Sequence, residues 1–377
     1  MTNNELFYFL GRCLALGENQ QTRQEVVATI EQEQVNWNHL VPLASNHLVL
    51  PALYLRFKRH GILHLLPAEL AEHLRMVYEL NLQRNAKIRA QIDTINRLFA
   101  TAGIVPVYLK GAANILDDLY IDLGERMLGD IDLLVSDEEF LTAANILKAE
   151  GYEHNYPFFE EEMANTKHFP RLVHPVELAD VEIHRSPVEL KLSEYFNYAI
   201  IATERKKIES DPPCFVLSDR HKVTLNFMHG FMNSEVKMFQ SITFRNLIDL
   251  LHLSHRVDIY RIISELPQYA SPARIYTDFM YYSMGIDSKH ALAPESKRYI
   301  RKYNVQRKSK LLYRINWVSK YLWSRIWNGY ICNAAGVFYS KQIRRHVFRS
   351  LTSPQWYKLH LKSYTDSFRQ IFGRKEN

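Results

Sequence analysis

The sequence predicts an α+β protein, in which a small mixed β-sheet core is flanked by N-terminal and C-terminal helical regions. Three observations support this prediction. Apolar residues recur at three- and four-residue spacing through the first hundred residues, as in amphipathic helices. From Gly103 to about residue 186, short apolar runs typical of buried strands alternate with helical segments. After about residue 187 the helical spacing returns.

The N-terminal region, residues 1–102, is predicted to be helical. Residues 5 to about 60 keep helical spacing, and a longer amphipathic pattern runs from Pro67 to Ala102. Proline suits the first position of a helix, and Gly103 suits the residue that follows its end.

Residues 103–190 are predicted to form an α/β core. Its segments, in order, are GIVPVYL (strand), AANILDDLY (helix), MLGDIDLLV (strand), DEEFLTAANILKAEGY (helix) and HPVELADVEIHRS (a third strand or a bent pair). Residues 191–296, with HKVTLNFMHGFMN and FRNLIDLLHLSHRV, are predicted to form a helical domain. Residues 297–377 are predicted to form a basic, aromatic-rich helical tail.

Charge is distributed unevenly along the chain. The net charge of +6 conceals 19 Lys and Arg against two acidic residues from Lys297 to the end. The first 296 residues hold 28 basic and 39 acidic residues, so an acidic body precedes a basic tail. The tail interleaves cations with Trp317, Trp323 and Trp327, which suits an anionic membrane surface or a nucleic acid. Packing of this aromatic face on the acidic body is the alternative.

The cysteines and the absence of long apolar runs indicate a cytoplasmic protein. Cys13, Cys214 and Cys332 lie far apart and form no CxxC pair, which argues against a disulfide framework and fits a reducing compartment. The N-terminus lacks the features of a signal peptide, and no apolar run reaches the roughly 18 residues that a membrane span requires. Peripheral contact with the inner face of the membrane is expected if the tail binds lipid.

Two aspartates in RMLGDIDLLV are the most informative feature of the core. Successive strand side chains point to opposite faces, so Asp130 and Asp132 project the same way, about 6 to 7 Å apart. Two ionised carboxylates this close repel each other, and a bound divalent cation such as Mg²⁺ converts that repulsion into affinity. Two solvent-exposed aspartates at a strand end would need no ligand, so the neighbouring residues matter.

Neighbouring residues favour a phosphate-handling site. Lys110-Gly111 ends one strand and begins a helix, where backbone N–H groups can approach a phosphate. Arg126 precedes Asp130 by four residues, near enough to contact phosphate or to steady the two aspartates.

Glu182, in the strand segment VEIH, offers a third carboxylate and would complete a two-metal site. Asp180 and His184 lie on the same face of that strand. The spacing of His168, His174 and His184 matches no usual zinc pattern, and the acidic neighbours favour Mg²⁺.

The run VYLKGAANILDDLYIDLGERMLGDIDLLVSDEEFLTAANILKAEGY resembles the core of the polymerase-β-like nucleotidyltransferase superfamily. More narrowly, it resembles an uncharacterised bacterial nucleotidyltransferase family with the pattern KGa…lY…R.mGDiDlLV…L…GY, whose segment lElHw matches VEIH here. The resemblance is specific over residues 104–186. Lys110-Gly111-Ala112 departs from the Gly-Gly or Gly-Ser of the superfamily, and Arg185 stands where Trp often follows the histidine.

The resemblance implies a Mg²⁺- or Mn²⁺-dependent enzyme that moves a nucleoside monophosphate from an NTP such as ATP to an unidentified hydroxyl acceptor. It implies metal-binding and catalytic roles for Asp130, Asp132 and Glu182. The residues interpreted as nucleotide-binding are Lys110, Gly111, Arg126 and Gly129. The alternative is a non-catalytic nucleotide-binding module that retains the fold. Modification of tRNA is a weaker alternative, with which the basic tail is compatible.

Overall fold

The computed structural model describes residues 1–154, 166–233, 241–288 and 290–308, with the further positions 236, 315, 318–320, 322–323, 354 and 358. The chain divides into two compact units, Met1–Ile300 and Arg301–Asn377. The sheet and the site described below belong to the first unit. Beyond residue 308 the predicted basic tail lies almost wholly outside the described residues, together with its expected membrane or nucleic-acid contacts.

Four helices open the chain, as the spacing of apolar residues predicts. Their bounds are Asn3–Leu14 (α1), Gln20–Glu31 (α2), Trp37–Asn46 (α3) and Leu50–Arg59 (α4). A capping box fixes the start of α1, because the Thr2 side chain accepts from the backbone of Glu5 and the Glu5 carboxylate accepts from the backbone of Thr2.

A 33-residue helix, Ala68–Ala100 (α5), packs against the sheet. It begins directly after Pro67 and ends shortly before Gly103, whose φ of +70° lies in the left-handed region that favours glycine. The fully buried residues on its sheet-facing side recur at helical spacing and are Ile88, Ile92, Ile95 and Phe99. The helix predicted over residues 67–102 is confirmed.

In the part of the chain that the structure describes, seven strands form one mixed sheet. Their bounds are Val107–Tyr108 (β1), Asp130–Leu134 (β2), Glu153–His154 (β3), Leu172–Val173 (β4), Asp180–His184 (β5), Arg205–Ile208 (β6) and Cys214–Leu217 (β7). Their order across the sheet is β3-β4-β5-β2-β1-β7-β6. The central strand β2 runs parallel to β5 and antiparallel to β1, and β1 runs parallel to β7. Helices flank this mixed sheet, so the predicted α+β class is confirmed.

Two features of the sheet differ from the sequence prediction. The first strand shortens from the predicted residues 103–109 to Val107–Tyr108, since Pro106 has no N–H to donate to the ladder. The β6–β7 hairpin joins the sheet in a segment predicted to be mainly helical. Its apolar run, CFVL, has only four residues, too few for periodicity to separate strand from helix. The sheet therefore extends past residue 190, the predicted end of the α/β core.

The remaining helices lie between and after the strands along the chain, and the last of them continues past Ile300 into the second unit. Their bounds are Lys110–Leu116 (α6), Phe140–Ala149 (α7), Tyr198–Ala202 (α8), Asp219–Phe227 (α9), Phe244–Ser254 (α10), Ile259–Ser264 (α11), Ala270–Met284 (α12) and Pro294–Arg307 (α13). A π-helical turn, Met228–Met232, continues α9. Within the described ranges, no helix combines the length and the apolarity needed to cross a bilayer.

Candidate active site

Adjacent parallel strands bring the predicted carboxylates together. Asp132 on β2 lies directly opposite Glu182 on β5, and Asp130 lies opposite Asp180. Because strand side chains alternate between the two faces of a sheet, these four carboxylates share one face. The register of a single pair of strands thus gathers the three acids that the sequence singles out.

Asp132 is the most enclosed of these acids, with only 2% of its surface exposed. Its Oδ1 accepts hydrogen bonds from Lys110 Nζ at 2.5 Å and from His184 Nε2 at 2.8 Å. Burial opposes ionisation, but the charge of Lys110 and the hydrogen bond from His184 outweigh it and hold the pKa of Asp132 well below its usual value. Within the described residues no donor reaches Oδ2. Asp132 is therefore ionised and keeps one oxygen for a ligand.

Arg171 binds the other two carboxylates. Its guanidinium donates to Glu182 Oε1 from Nε at 3.1 Å and from Nη2 at 2.7 Å, and Nη2 also donates to Asp130 Oδ2 at 3.2 Å. Burial opposes the ionisation of Glu182, yet hydrogen bonds from His184 and Arg171 lower its pKa to about 2. Burial raises the pKa of Asp130, and the charge of Asp132 raises it further. Asp130 is therefore the most basic of the three carboxylates.

His184 joins Asp132 and Glu182 in a buried group whose ligand atoms all lie within 4.8 Å of one another. Nδ1 of His184 lies 3.3 Å from the carbonyl oxygen of Ser186, which directs Nε2 toward the two carboxylates. Carboxylate oxygens suit Mg²⁺ and Mn²⁺, and an imidazole nitrogen extends the choice to other transition metals. The chemistry of these donors fits a divalent cation.

The Lys110-Gly111 turn, which the sequence predicts to approach a phosphate, packs against the guanidinium of Arg126. Helix α6 begins at Lys110, whose φ of +49° places a non-glycine residue in the left-handed region, a strain that tends to mark functional positions. At Gly111, an added Cβ would lie 2.1 Å from Nη1 of Arg126 and 2.8 Å from Cδ2 of Leu128. Glycine is therefore required here by the close approach of a guanidinium, whereas the sequence suggested the approach of a phosphate.

Arg126 binds a carboxylate, Asp249, that its place in the sequence does not predict as a partner. Its Nε and Nη2 donate to Asp249 Oδ1 and Oδ2, both at 2.8 Å, and the Tyr120 hydroxyl donates to Asp249 Oδ1 at 2.5 Å. Arg126 and Asp249 are both buried, and the pair joins the core to α10. The sequence predicts contact of Arg126 with phosphate or with the two aspartates, whereas the structure shows its guanidinium held by Asp249.

A cavity separates the carboxylates from a basic helical wall. Six of the seven predicted site residues line it: Lys110, Gly111, Arg126, Gly129, Asp130 and Asp132. The seventh, Glu182, lies beside Asp132 on the neighbouring strand. The helical side includes Lys222 from α9, His229 from the π-helical turn, and Arg245 and Asp249 from α10.

Comparison with known families identifies the chain. Residues 33–269 match a family described as an uncharacterised nucleotidyltransferase, and the match includes both walls of the cavity. The chain belongs to this family. Membership in the nucleotidyltransferase family supports a general role in nucleotidyl transfer and a nucleotide substrate. No curated protein matches the chain.

Four residues that shape the site of this nucleotidyltransferase family member are absent from the sequence prediction of the site. They are His184, Arg171, Asp249 and Arg245. The presence of His184 in the site could be predicted from the sequence, since it lies two residues after Glu182 on the same strand face. Asp249 lies in the amphipathic segment FRNLIDLLHLSHRV, within the residues that match the family. The positions of Arg171 and Arg245 could not be predicted from the sequence, because only tertiary packing brings them to the carboxylates or the cavity.

Proposed function

We propose that the protein is a metal-dependent nucleotidyltransferase that moves a nucleoside monophosphate from an NTP to a hydroxyl acceptor. The observation that supports this is the convergence of Asp130, Asp132 and Glu182 on one sheet face beside a cavity with basic side chains. Asp130, Asp132 and Glu182, with His184 as a neighbouring nitrogen donor, would hold Mg²⁺ or Mn²⁺. Such an ion stabilises negative charge on the phosphate and on the attacking and leaving oxygens.

The proposed reaction is an in-line displacement at the α-phosphorus. The acceptor oxygen forms a new bond to phosphorus, the bond from phosphorus to the bridging oxygen breaks, and pyrophosphate leaves. The hydroxyl proton passes to a carboxylate oxygen of the site as the new bond forms. Glu182 biases the position of the attacking oxygen, and Lys110 keeps Asp132 ionised. Positioning and fixed charges supply most of the catalysis in such transfers.

The predicted nucleotide-binding residues differ in how they could contact a nucleotide. Lys110, Gly111 and Gly129 border the cavity beside the carboxylates, where a triphosphate would enter. An added Cβ at Gly129 would meet no atom within 4 Å, so there is room beside this backbone. Arg126 shapes the same border, because its guanidinium packs over Gly111 while it binds Asp249.

The alternative is a non-catalytic module that binds a nucleotide. Its support is a specific feature of the site, because Lys110 and Arg171 between them form ion pairs with all three carboxylates. Such ion pairs allow the fold to be stable with no cation bound.

Two measurements on the same samples separate the enzyme from the module. Calorimetry with a non-hydrolysable NTP analogue and Mg²⁺ or Mn²⁺ reports binding, and pyrophosphate release across a screen of sugars, RNA, proteins and lipid-linked glycans reports turnover. Release that disappears in the double variant Asp130→Asn, Asp132→Asn, with an unchanged circular dichroism spectrum, supports the enzyme. Binding without release across the whole screen supports the module. Full activity in the double variant would rule out the metal-binding assignment.

The basic tail, residues 297–377, is proposed to bring a cytoplasmic enzyme to an acceptor on an anionic membrane or a nucleic acid. Flotation of the chain, with and without these residues, on anionic and on neutral vesicles tests the membrane part. Tail-dependent flotation on anionic vesicles alone supports it, and equal flotation of both chains removes it. Release of the chain from anionic vesicles by added RNA would favour a nucleic acid as the partner of the tail.

A further inference from the structure

The cavity between the carboxylates and the helices contains an unbalanced positive charge. Four cationic side chains line it, and three of them are paired with carboxylates: Lys110 with Asp132, Arg126 with Asp249, and Lys222 with Asp117. The fourth, Arg245, forms no ion pair within the described part of the chain. Its Nε is buried and has no hydrogen-bond partner.

An unpartnered guanidinium nitrogen in such a place is costly for the unliganded protein. A buried donor that loses water without gaining an acceptor destabilises the folded state. Burial lowers the pKa of Arg245, and the positive charge of Arg126 lowers it further. His229 does not supply a balancing charge, because burial and the nearby charge of Lys110 lower its pKa to about 3 and leave the imidazole neutral. Asp249, the carboxylate on this wall, is already engaged by Arg126, so Arg245 is left without an anionic partner among the described residues.

The position of Arg245 is fixed by the neighbouring ion pair. Arg245 and Asp249 are four residues apart on α10, so their side chains lie on the same helix face. Asp249 is held at both oxygens by Arg126, which anchors this face of the helix to the core. Arg245 is thereby held at the cavity one turn before Asp249.

We propose that Arg245 binds the β- and γ-phosphates of the nucleotide, so that the polyphosphate tail lies along the helical wall while the α-phosphate lies at the carboxylates. This inference rests on the proposed function for the identity of the ligand. A guanidinium presents several N–H groups in one plane and pairs with phosphate oxygens at two points, and a polyphosphate supplies the negative charge that would balance Arg245. Lys110 and Arg126 are engaged by carboxylates, so Arg245 is the cavity cation that a phosphate can pair with without displacing a described partner.

The test measures binding of inorganic tripolyphosphate to the full chain by calorimetry, at low salt and in EDTA, so that neither metal nor turnover is needed. Arg245→Gln should weaken binding about 10- to 100-fold, the range for the loss of charged hydrogen bonds. Arg245→Lys, which keeps the charge without the planar fork, should fall between that variant and the original chain. Arg261→Gln, which removes an equal charge from an exposed position on α11, should change binding less than about twofold.

Stability provides a second readout that a merely structural arginine would not give. Since Arg245→Gln removes a cation that has no carboxylate partner among the described residues, the unliganded variant should be at least as stable to urea as the original chain. Marked destabilisation of the variant would overturn the proposal in favour of a structural role. Tripolyphosphate affinity unchanged in Arg245→Gln, or no binding by the original chain, would also overturn it.

Failure of this inference is distinguishable from failure of the proposed function. Arg245-dependent tripolyphosphate binding without pyrophosphate release from any NTP would leave the phosphate site standing and remove the transferase. Nucleotidyl transfer with an unchanged KM for the NTP in Arg245→Gln would remove the role of Arg245 and leave the transferase.

Discussion

Asp132 and Asp249 are two buried aspartates that line the same cavity, and each binds a cation. Both oxygens of Asp249 are used, because Arg126 donates to each of them and Tyr120 adds a third hydrogen bond. Both hydrogen bonds to Asp132 end on Oδ1, so Oδ2 has no donor within the described residues. One carboxylate is saturated and holds the fold together, whereas the other keeps an oxygen for chemistry.

The largest expected effect is loss of activity in Asp132→Asn. Pyrophosphate release should fall about 10³-fold, since an amide cannot supply the negative charge that the proposed cation requires. Binding of Mn²⁺, followed by electron paramagnetic resonance, should weaken in parallel. The matched control is Asp137→Asn, which alters an exposed aspartate paired with Arg185 and should leave both readouts unchanged. Equal losses in the two variants would show that Asp132 has no special part.

The next effect concerns stability and should distinguish the two buried aspartates. Asp249→Asn should lower the free energy of unfolding by about 3 to 5 kcal/mol, because it leaves the buried charge of Arg126 uncompensated. Asp132→Asn should cost less, because the Lys110 side chain is 19% exposed whereas that of Arg126 is 6% exposed. Urea unfolding of both variants provides the comparison. If Asp132→Asn proves the more destabilising of the two, the division between a structural and a functional aspartate is wrong.

A smaller effect tests how closely Arg126 packs on the turn that carries Lys110. Gly111→Ala should destabilise the protein by about 1 to 3 kcal/mol, because its Cβ would meet the Arg126 guanidinium. Gly129→Ala is the control in the same cavity border. Nothing lies within 4 Å of its Cβ, so the change should stay within about 0.5 kcal/mol. Thermal unfolding of the two variants side by side measures the difference, and similar values for both would contradict this packing.

The smallest effect concerns the solvent-exposed ion pair of His255 and Glu18. It serves as the reference for the two buried ion pairs of Asp132 and Asp249. His255 Nε2 donates to Glu18 Oε2 at 3.0 Å, and this bond raises the pKa of His255. Burial opposes ionisation of Glu18, but His255 lowers its pKa overall. Because folding raises the pKa of His255, this residue stabilises the fold most at pH values below its pKa in the unfolded chain. Because folding lowers the pKa of Glu18, that residue stabilises the fold at pH values above its pKa in the unfolded chain. His255→Gln should therefore cost at most about 1 kcal/mol near pH 5.5 and nothing at about pH 9. A loss in urea stability that is equal at both values would contradict the pairing.

The helical flanks and the strand positions of the acids are predictable from local spacing. The helix at Ala68–Ala100 follows from a long amphipathic pattern with proline before it and glycine after it. The β6–β7 hairpin cannot be predicted in this way, because CFVL has too few residues to show a periodicity. The pairing of Arg126 with Asp249 cannot be predicted from local spacing either, since Asp249 lies 123 residues further along the chain.

The sequence by itself determines that Asp130 and Asp132 face the same way, since alternation along a strand depends only on neighbouring residues. The tertiary structure decides which strand lies beside them, which cation pairs with each carboxylate, and which arginine has no ion-pair partner among the described residues. Pairing of β2 with β5 sets Asp132 opposite Glu182. Docking of α10 joins Asp249 to Arg126 and leaves Nε of Arg245 without a partner in the described part of the chain. Such contacts depend on the register and burial of segments far apart in the chain, which local spacing does not encode.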